Sequence, residues 1–474
     1  MRLLKEIDIP QDRLSYVVGI YSYCYNLVNA PIICNKDLTE FISVYHNCRN
    51  LVGSPVCGEN VIHFTQAYSA CYNLTGLPVC GNNVTYMQWT YQGCSNLTGS
   101  PVCGEKVNIF ASAYYGCSKL TGSPVCGPNV NRFDYTYSGC TSLTGSPVCG
   151  EKVTNMVGTY SGCFKLTGSP VCGKNVTNMY DTYSNCSNLT GNPVCGENVT
   201  NMKGTYKGCS NLTGNPVCGE NVTNVWEAYN GCVNLTGSPV CGSKITSMGY
   251  MYYNCRNLTG SPMYGENVTH MYATYHNCTN LTGSPVSGEK ITNMASTYSG
   301  CSNLTGSPVC GNNVTNMYNT YRNCSNLTGS PVCGKNVTDM SGTYSGCINL
   351  TGTPICGPKV TKVHQLYNGC TNLSTNGYFY SNNISSVSGC FANRNVLKQL
   401  NLYLPINSVT LNTALYTNSY SIIGNSITWT NDTANNRYYN TQYNIYIYPV
   451  ANVAAAAIAN GDEEANANAG IIIN

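Results

Sequence analysis

The chain has 474 residues, of which only 9% are charged, and its formal net charge is +3. Nucleic-acid-binding domains carry clustered basic charge, so this composition argues against a nucleic-acid partner. No run of about eighteen apolar residues occurs, and the first residues lack the apolar stretch of a secretion signal. We therefore expect synthesis in the cytoplasm and no membrane insertion.

A repeat fills most of the chain. Its marker is the Leu of "NLTG", position 0, which recurs from Leu27 to Leu373 with one step of 24 residues and then a constant step of 23. A unit this short cannot bury its own apolar face, so successive units must stack. The sequence therefore predicts a repeat solenoid with one coil per unit.

Within a unit, the recurring apolar positions are 0, +5, +6, +10, +13, +17 and +20. Steps of three and four from +10 to +20 predict a short helical or 3-10 segment with one buried stripe. The segment "LTGSPVCG", positions 0 to +7, has Pro at +4 and Gly at +2 and +7, which allows one short extended stretch. Each coil is expected to contain one brief strand in this segment, a turn and one brief helical side.

The N-terminal stretch "EIDIPQDRLSYVVGIYSYCYNL" resembles the BspA-like leucine-rich repeat, in which an Ile-x-Ile-Pro strand precedes an apolar triplet, an aromatic residue and Cys-x-x-Leu. The matching residues are Ile7, Ile9, Pro10, Leu14, Val17, Tyr21, Cys24 and Leu27. The resemblance continues to about residue 373, although Pro-Val-Cys-Gly replaces the usual Ile-Pro. It implies a curved right-handed leucine-rich-repeat solenoid used in surface binding and adhesion, without catalytic residues.

The chain divides by its periodicity into four predicted regions. Residues 1–27 form an N-terminal capping repeat, and residues 28–375 form the solenoid. Residues 376–424 lose the period but retain an alternating strand in "LKQLNLYLP", as expected of a degenerate C-terminal capping repeat. Residues 425–474 predict a β-hairpin and a flexible Ala- and Asn-rich tail, whose apolar end "GIIIN" is a candidate docking segment.

Two cysteine columns run through the repeats. Position +20 is always Cys, whereas position +6 changes to Tyr264 and Ser287 in two consecutive units. Because the columns vary independently, we predict ladders of buried thiols in which Cys acts as a small apolar residue. The predicted structural thiol ladder contains Cys140, Cys163, Cys186, Cys209 and Cys232. Disulfides between successive coils remain an alternative, because the spacing of stacked strands permits them.

Neither a metal nor another cofactor is expected. The cysteines are 9 and 14 residues apart and the histidines lie out of register, unlike the ligands of a zinc site. The recurring Asn-Leu-Thr and Asn-Val-Thr tripeptides match the glycan-acceptor pattern. Their middle residues are core positions, so we predict hydrogen-bonding ladders of Asn and Thr instead.

Positions +14 and +15 differ from unit to unit and are often aromatic. Aromatic enrichment on an exposed stripe is typical of binding surfaces, although tolerance at a solvent-exposed position also produces variety. The candidate binding stripe consists of Trp89, Tyr135, Tyr180, Lys203, Trp226, Tyr250, Tyr272 and Tyr318.

No catalytic constellation appears, so we expect no enzyme. The predicted function is recognition or adhesion, with a protein or glycan on a cell surface, or neighbouring subunits of a particle, as the partner. A missing export signal beside an adhesin-like repeat favours a virion or phage tail-fibre protein, exposed after cytoplasmic synthesis. A bacterial surface adhesin and a purely structural spacer or decoration subunit are the alternatives.

Overall fold

The computed structural model describes residues 15–30, 37–384, 387–395, 397–405, 422–423 and 429–471. It contains two compact units, Met1–Leu235 and Thr236–Asn474. Each unit is a stack of 23-residue coils, which confirms the predicted repeat solenoid. Ile7, Ile9, Pro10 and Leu14 of the N-terminal resemblance lie outside the described residues, as do most of the predicted closing coil and the last three residues of "GIIIN".

The core of each unit is built from five columns of side chains. They lie at positions 0, +10, +13, +17 and +20, and in one coil they are Leu143, Val153, Met156, Tyr160 and Cys163, all with no exposed surface. The prediction that +5 and +6 also belong to the core is wrong for most coils. Val148 and Cys149 are half-buried, whereas Pro147 at +4 is buried. Adjacent side chains of an extended segment face opposite ways, so a buried proline turns the valine outward.

Successive coils are joined by backbone hydrogen bonds over positions +11 to +19. The N–H groups of Met156, Gly158 and Tyr160 donate to carbonyls of the next coil at 2.8 to 3.0 Å. The N–H groups between them bond within the same coil: that of Thr159 donates to the Met156 carbonyl, three positions earlier, and that of Val157 donates to the Asn155 side-chain oxygen. This alternation combines a parallel ladder between coils with 3-10-type turns within them.

The brief strand of each coil therefore lies at position +12, and not in "LTGSPVCG" as expected. In the first unit the parallel bridges run through His63, Tyr86, Ile109, Arg132, Asn155, Asn178, Asn201 and Asn224. In the second unit they run through Ser247, His270, Asn293, Asn316, Asp339 and Lys362.

Neighbouring "LTGSPVCG" segments share one backbone hydrogen bond, in which the N–H at +1 donates to the carbonyl at +2 of the preceding coil, as Thr167 does to Gly145 at 2.9 Å. The tyrosine at +17 explains why the pairing does not continue through the rest of the segment. The Tyr160 hydroxyl accepts a hydrogen bond from the Val148 N–H at 3.0 Å and donates one to the Val148 carbonyl at 2.7 Å. Pro147 has no N–H to offer. The extended segment is thus tied to its own coil through a side chain, which leaves it few backbone groups for a ladder.

Columns of Asn and Thr side chains donate hydrogen bonds to backbone carbonyls at the bends, as predicted from the Asn-x-Thr tripeptides. The Thr177 hydroxyl donates to the Thr154 carbonyl at 3.2 Å, and the Asn175 amide donates to the Glu151 carbonyl at 2.8 Å. A further column, at +16, was missed from the sequence. The buried Thr159 hydroxyl lies 2.9 Å from the carbonyls of both Phe133 and Met156.

Regular strands occur at the ends of the chain. In the first unit, β1 (Tyr16–Val18) pairs in parallel with β2 (Glu40–Ile42). The second unit ends in a six-stranded sheet of β3 (Ile355–Cys356), β4 (Asn376–Phe379), β5 (Leu400–Pro405), β6 (Thr430–Asp432), β7 (Arg437–Asn440) and β8 (Ile445–Val450). The strand order is β3-β4-β5-β8-β7-β6, and the pairs are parallel as far as β8 and antiparallel beyond it. A 3-10 helix, Thr433–Asn435, joins β6 to β7.

Two short helices follow, α1 (Val453–Ala459) and α2 (Glu463–Asn468). They dock on the second unit, unlike the flexible tail expected from the sequence. Asp462 accepts hydrogen bonds from the Tyr378 hydroxyl at 2.6 Å and the Asn376 amide at 2.8 Å. The Cys333 N–H donates to the Asn468 carbonyl at 2.5 Å. Burial, reinforced by the Asp462 carboxylate, raises the pKa of Tyr378.

Candidate functional site: a variable stripe on each unit

The variable stripe of each unit is formed by the side chains at +14, +15 and +18. Three predicted stripe residues are clearly exposed: Trp89 and Tyr135 at 38% and Tyr318 at 45%. The other five, Tyr180, Lys203, Trp226, Tyr250 and Tyr272, are half-buried. The stripe is therefore partly packed against itself, and the two units are best considered separately.

Position +15 has a left-handed backbone conformation in each coil from Gln66 to Gln365, with φ between 50° and 63°. Glycine adopts this conformation readily, and three coils have glycine there. Trp89, Tyr135 and Tyr250 adopt it at a cost of roughly 1–2 kcal/mol each. The sequence held a clue, because Gly and Ser recur at this position and Asp181 and Asn319 also occupy it, but the aromatic residues there conceal it.

In the first unit, larger and smaller residues alternate at +15 from Trp89 to Glu227. The Tyr135 ring extends over Gly158, where an added Cβ would lie 2.4 Å from ring carbons. The Asp181 carboxylate covers Gly204 in the same way, at 2.0 Å from the Cβ position. Each large side chain therefore rests on a small residue of the next coil, which limits the directions that it can take.

Charged groups flank the aromatic residues of the first unit. The Lys203 ammonium lies 5.3 Å from the centre of the Tyr180 ring, within range of a cation–π interaction. Lys207 and Glu227 form an ion pair at 2.9 Å. The adjacent Asp181 carboxylate raises the pKa of Tyr180, and partial burial raises the pKa of Asp181.

The stripe of the second unit is more aromatic. The Tyr250 and Tyr272 rings meet edge to face with their centroids 5.0 Å apart. Tyr253 and His276, both at +18, stack in parallel with their centroids 4.7 Å apart. Burial lowers the pKa of His276, whose Nδ1 is buried without a hydrogen-bond partner. A neutral imidazole stacked on a phenol ring is the result.

The predicted thiol ladder lies in the core of the first unit, away from the stripe. Its five thiols donate hydrogen bonds of 3.0 to 3.1 Å to the carbonyl of the tyrosine at +17 in the preceding coil. Burial raises the pKa of Cys163 and Cys186 well above the ordinary value. A thiol that donates a hydrogen bond must keep its proton, so this geometry suits reduced cysteine.

The described residues contain no group of three or more side chains placed to hold a metal ion. No helix within the described ranges is long and apolar enough to cross a membrane.

Comparison with known proteins bears on the fold. Residues 154–284 and 238–330 match the family described as "Mycoplasma protein of unknown function, DUF285". A leucine-rich repeat protein from Bacteroides ovatus superposes with a TM-score of 0.50 at 18% identity, covering 69% of this chain and 86% of that chain. A leucine rich cell surface protein from Faecalibacterium prausnitzii gives a TM-score of 0.31 at 15% identity, covering 70% and 91%. No curated protein matches.

The repeat geometry and the Bacteroides structure together show a leucine-rich-repeat fold. The predicted resemblance to BspA-like repeats is thereby confirmed at the level of the fold. The matched family and structures are not named as enzymes.

Proposed function

We propose that this leucine-rich-repeat protein is a non-enzymatic recognition protein whose variable stripe binds a protein partner at a surface. The left-handed column at +15 is the observation that carries this function. Solvent tolerance alone would favour Gly, Asn or Ser in that conformation. Trp89 and Tyr135 instead keep bulky side chains there, with more than a third of each exposed. A conformational cost retained at an exposed site is typical of functional positions.

The chemistry of the first unit suits a protein partner. Tyr180, Trp226 and Lys203 combine aromatic surface with a positive charge, and the Lys207–Glu227 pair lies beside them. Aromatic anchors with a few charged neighbours dominate the energetics of protein interfaces. Acidic and basic groups occur together in this patch, which provides no continuous positive field for a polyanion.

The setting that we propose is the surface of a cell or of a virion, where a rigid stack of coils can present such a stripe. Recognition by this stripe is the same in either setting. A protein used only as a spacer would instead tolerate loss of the stripe, so a binding measurement separates the two roles.

The test is binding of the labelled full chain to surface proteins isolated from cells of the producing organism. We expect the combined substitutions Trp89→Ser, Trp226→Ser and Tyr272→Ser to weaken binding by about thirtyfold or more, since loss of even one aromatic anchor costs about 2 kcal/mol. Phe164→Ser is the matched control, because Phe164 is 48% exposed but lies outside the stripe. Unchanged binding by the triple variant, with its circular dichroism spectrum intact, would refute the proposed role.

A further inference from the structure

The second unit contains a feature that the variable stripe does not explain. The +6 cysteine column is interrupted at Tyr264 and Ser287 and resumes at Cys310. A cleft of about 310 Å³ opens at this interruption. It is lined by Tyr264, Ser287, Gly288, Glu289, Val309, Cys310, Gly311 and Asn312.

The two substitutions shape the cleft. In a regular coil the thiol lies against the glycine of the next coil, as Cys149 does at 2.9 Å from the Cβ position of Gly173. The Tyr264 ring reaches further and covers Gly288, with its Cε2 and hydroxyl both 2.6 Å from the Cβ position there. Ser287 is small and held in place, since its hydroxyl accepts the Gly311 N–H at 3.0 Å. The large Tyr264 side chain therefore forms one wall of the cleft, and the small Ser287 side chain of the next coil leaves a recess beside it.

The C-terminal segment docks one coil beyond the cleft. The coil after Cys310 is that of Cys333, whose N–H donates to the Asn468 carbonyl. Gly470 is packed against the same coil, with its Cβ position 2.5 Å from the Lys335 nitrogen. The Tyr264 ring therefore bounds the recess at one end, and the docked tail lies one coil beyond Cys310.

The groups left for a ligand are a phenol, a carboxylate and an amide. The Val309 N–H and carbonyl are both used by the Tyr321 hydroxyl, at 3.0 and 2.7 Å. Tyr264, Glu289 and Asn312 remain, and the last two are exposed at the rim. The only charged group in the lining is a carboxylate, which repels phosphate and other anions.

We propose that this cleft binds one neutral sugar ring, such as the terminal residue of a glycan. The hydroxyls of a sugar can donate to Glu289 and exchange hydrogen bonds with the Asn312 amide, while its C–H face packs on the Tyr264 ring. The volume lies at the lower end of the roughly 300–1,000 Å³ of small-molecule sites, which suits a single ring. This site is independent of protein recognition by the variable stripe.

Ligand-observed saturation-transfer NMR on the full chain tests the site, with galactose, glucose and N-acetylglucosamine as separate probes. We expect transfer to at least one sugar, with a dissociation constant on the order of 1 mM. The variant Tyr264→Cys with Ser287→Cys restores the residue that the other coils use at +6. It should retain the fold and weaken sugar binding by about tenfold or more. Glu289→Asn introduces the residue of the next coil at that position and should also weaken binding.

Tyr318→Asn is the control on the same unit and should leave sugar binding unchanged. The triple serine variant of the stripe should also bind sugar normally, so failure of one function is distinguishable from failure of the other. Absence of transfer to all three sugars would overturn the proposal. Equal binding by the double cysteine variant, or a response to free lysine but to no sugar, would overturn it as well.

Discussion

At the scale of single residues, the tyrosine at +17 holds each coil together. Its ring stacks on its copies, as in Tyr160, whose centroid lies 5.7 Å from that of Tyr137 and 5.5 Å from that of Tyr183. Its hydroxyl satisfies both backbone groups of the valine at +5. Its carbonyl accepts the thiol of the next coil. One side chain therefore links the core, the extended segment and the cysteine column.

We predict that Tyr160→Phe lowers the free energy of unfolding by about 1–3 kcal/mol, because the N–H and carbonyl of Val148 lose their partner. Urea denaturation followed by circular dichroism measures the change. Tyr180→Phe, a half-buried tyrosine of the stripe, is the matched control and should have little effect. Equal stability of the two variants would contradict the role given to the hydroxyl.

Alkaline pH should unfold the protein cooperatively. Burial raises the pKa of Cys48 and Cys370 from 9.0 to about 12 in the folded state. Below pH 9 the thiol keeps its proton in both the folded and the unfolded chain, so the free energy of unfolding does not change. Between pH 9 and the folded pKa, the thiol ionises only in the unfolded chain. Each such thiol therefore removes about 1.4 kcal/mol per pH unit until the folded pKa is reached.

A circular dichroism titration from pH 7 to about pH 12 measures this loss. Cys163→Ser is the matched variant, since a hydroxyl can still donate to the Tyr137 carbonyl but does not ionise in this range. Its unfolding midpoint should lie at higher pH than that of the natural chain. Identical midpoints would show that the buried thiols do not govern alkaline stability.

At the scale of the element, each coil is hydrogen-bonded to its neighbours through a short strand at +12. The sequence wrongly predicted this strand in "LTGSPVCG". Apolar steps of three and four over +10 to +20 correctly predicted the buried stripe, whereas the short helical or 3-10 segment expected there is a series of 3-10-type turns. The same segment also forms the ladder between coils, because left-handed residues at +15 and +19 turn successive N–H groups in different directions. The periodicity of apolar side chains indicates which positions are buried. It does not indicate which carbonyl accepts a hydrogen bond from a given backbone N–H.

The left-handed column predicts opposite effects for two glycine exchanges. Ser296→Gly should stabilise the second unit by about 1 kcal/mol, because φ at Ser296 is 56° and the N–H bond to the Tyr318 carbonyl is kept. Gly158→Ala should destabilise the first unit, because the new Cβ would lie 2.4 Å from the Tyr135 ring. Thermal unfolding of both variants tests this, and a shift of the same sign in both would contradict it.

At the scale of the whole chain, both units share one repeat, and the second adds a docked C-terminal segment. The tail contacts the coil of Cys333, which is buried, whereas most +6 cysteines are half-buried. Burial also raises the pKa of Cys333. The segment thus shields a +6 cysteine that is more accessible in most other coils.

Deletion of residues 451–474 should expose the Cys333 thiol. We expect Cys333 to become alkylated by iodoacetamide at a rate similar to that of Cys310, since thiolate fraction and access both increase. Mass spectrometry of the labelled peptides measures the rates, and Cys347, buried in the core column, provides the internal control. Continued protection of Cys333 after the deletion would contradict docking of the tail.

The sequence by itself determined the period, the stacking of coils and the core columns at 0, +10, +13, +17 and +20, because a strict repeat of apolar residues too short to fold alone has only its copies to pack against. The tertiary structure decided the rest. The strand lies at +12 because, within each coil, the hydroxyl of the tyrosine at +17 is hydrogen-bonded to both the N–H and the carbonyl of the residue at +5. The conformation at +15, the cleft at Tyr264 and the docking of Asp462 on Tyr378 depend on contacts between residues 23 or more apart. Patterns within one short segment of the sequence cannot predict contacts between residues so far apart.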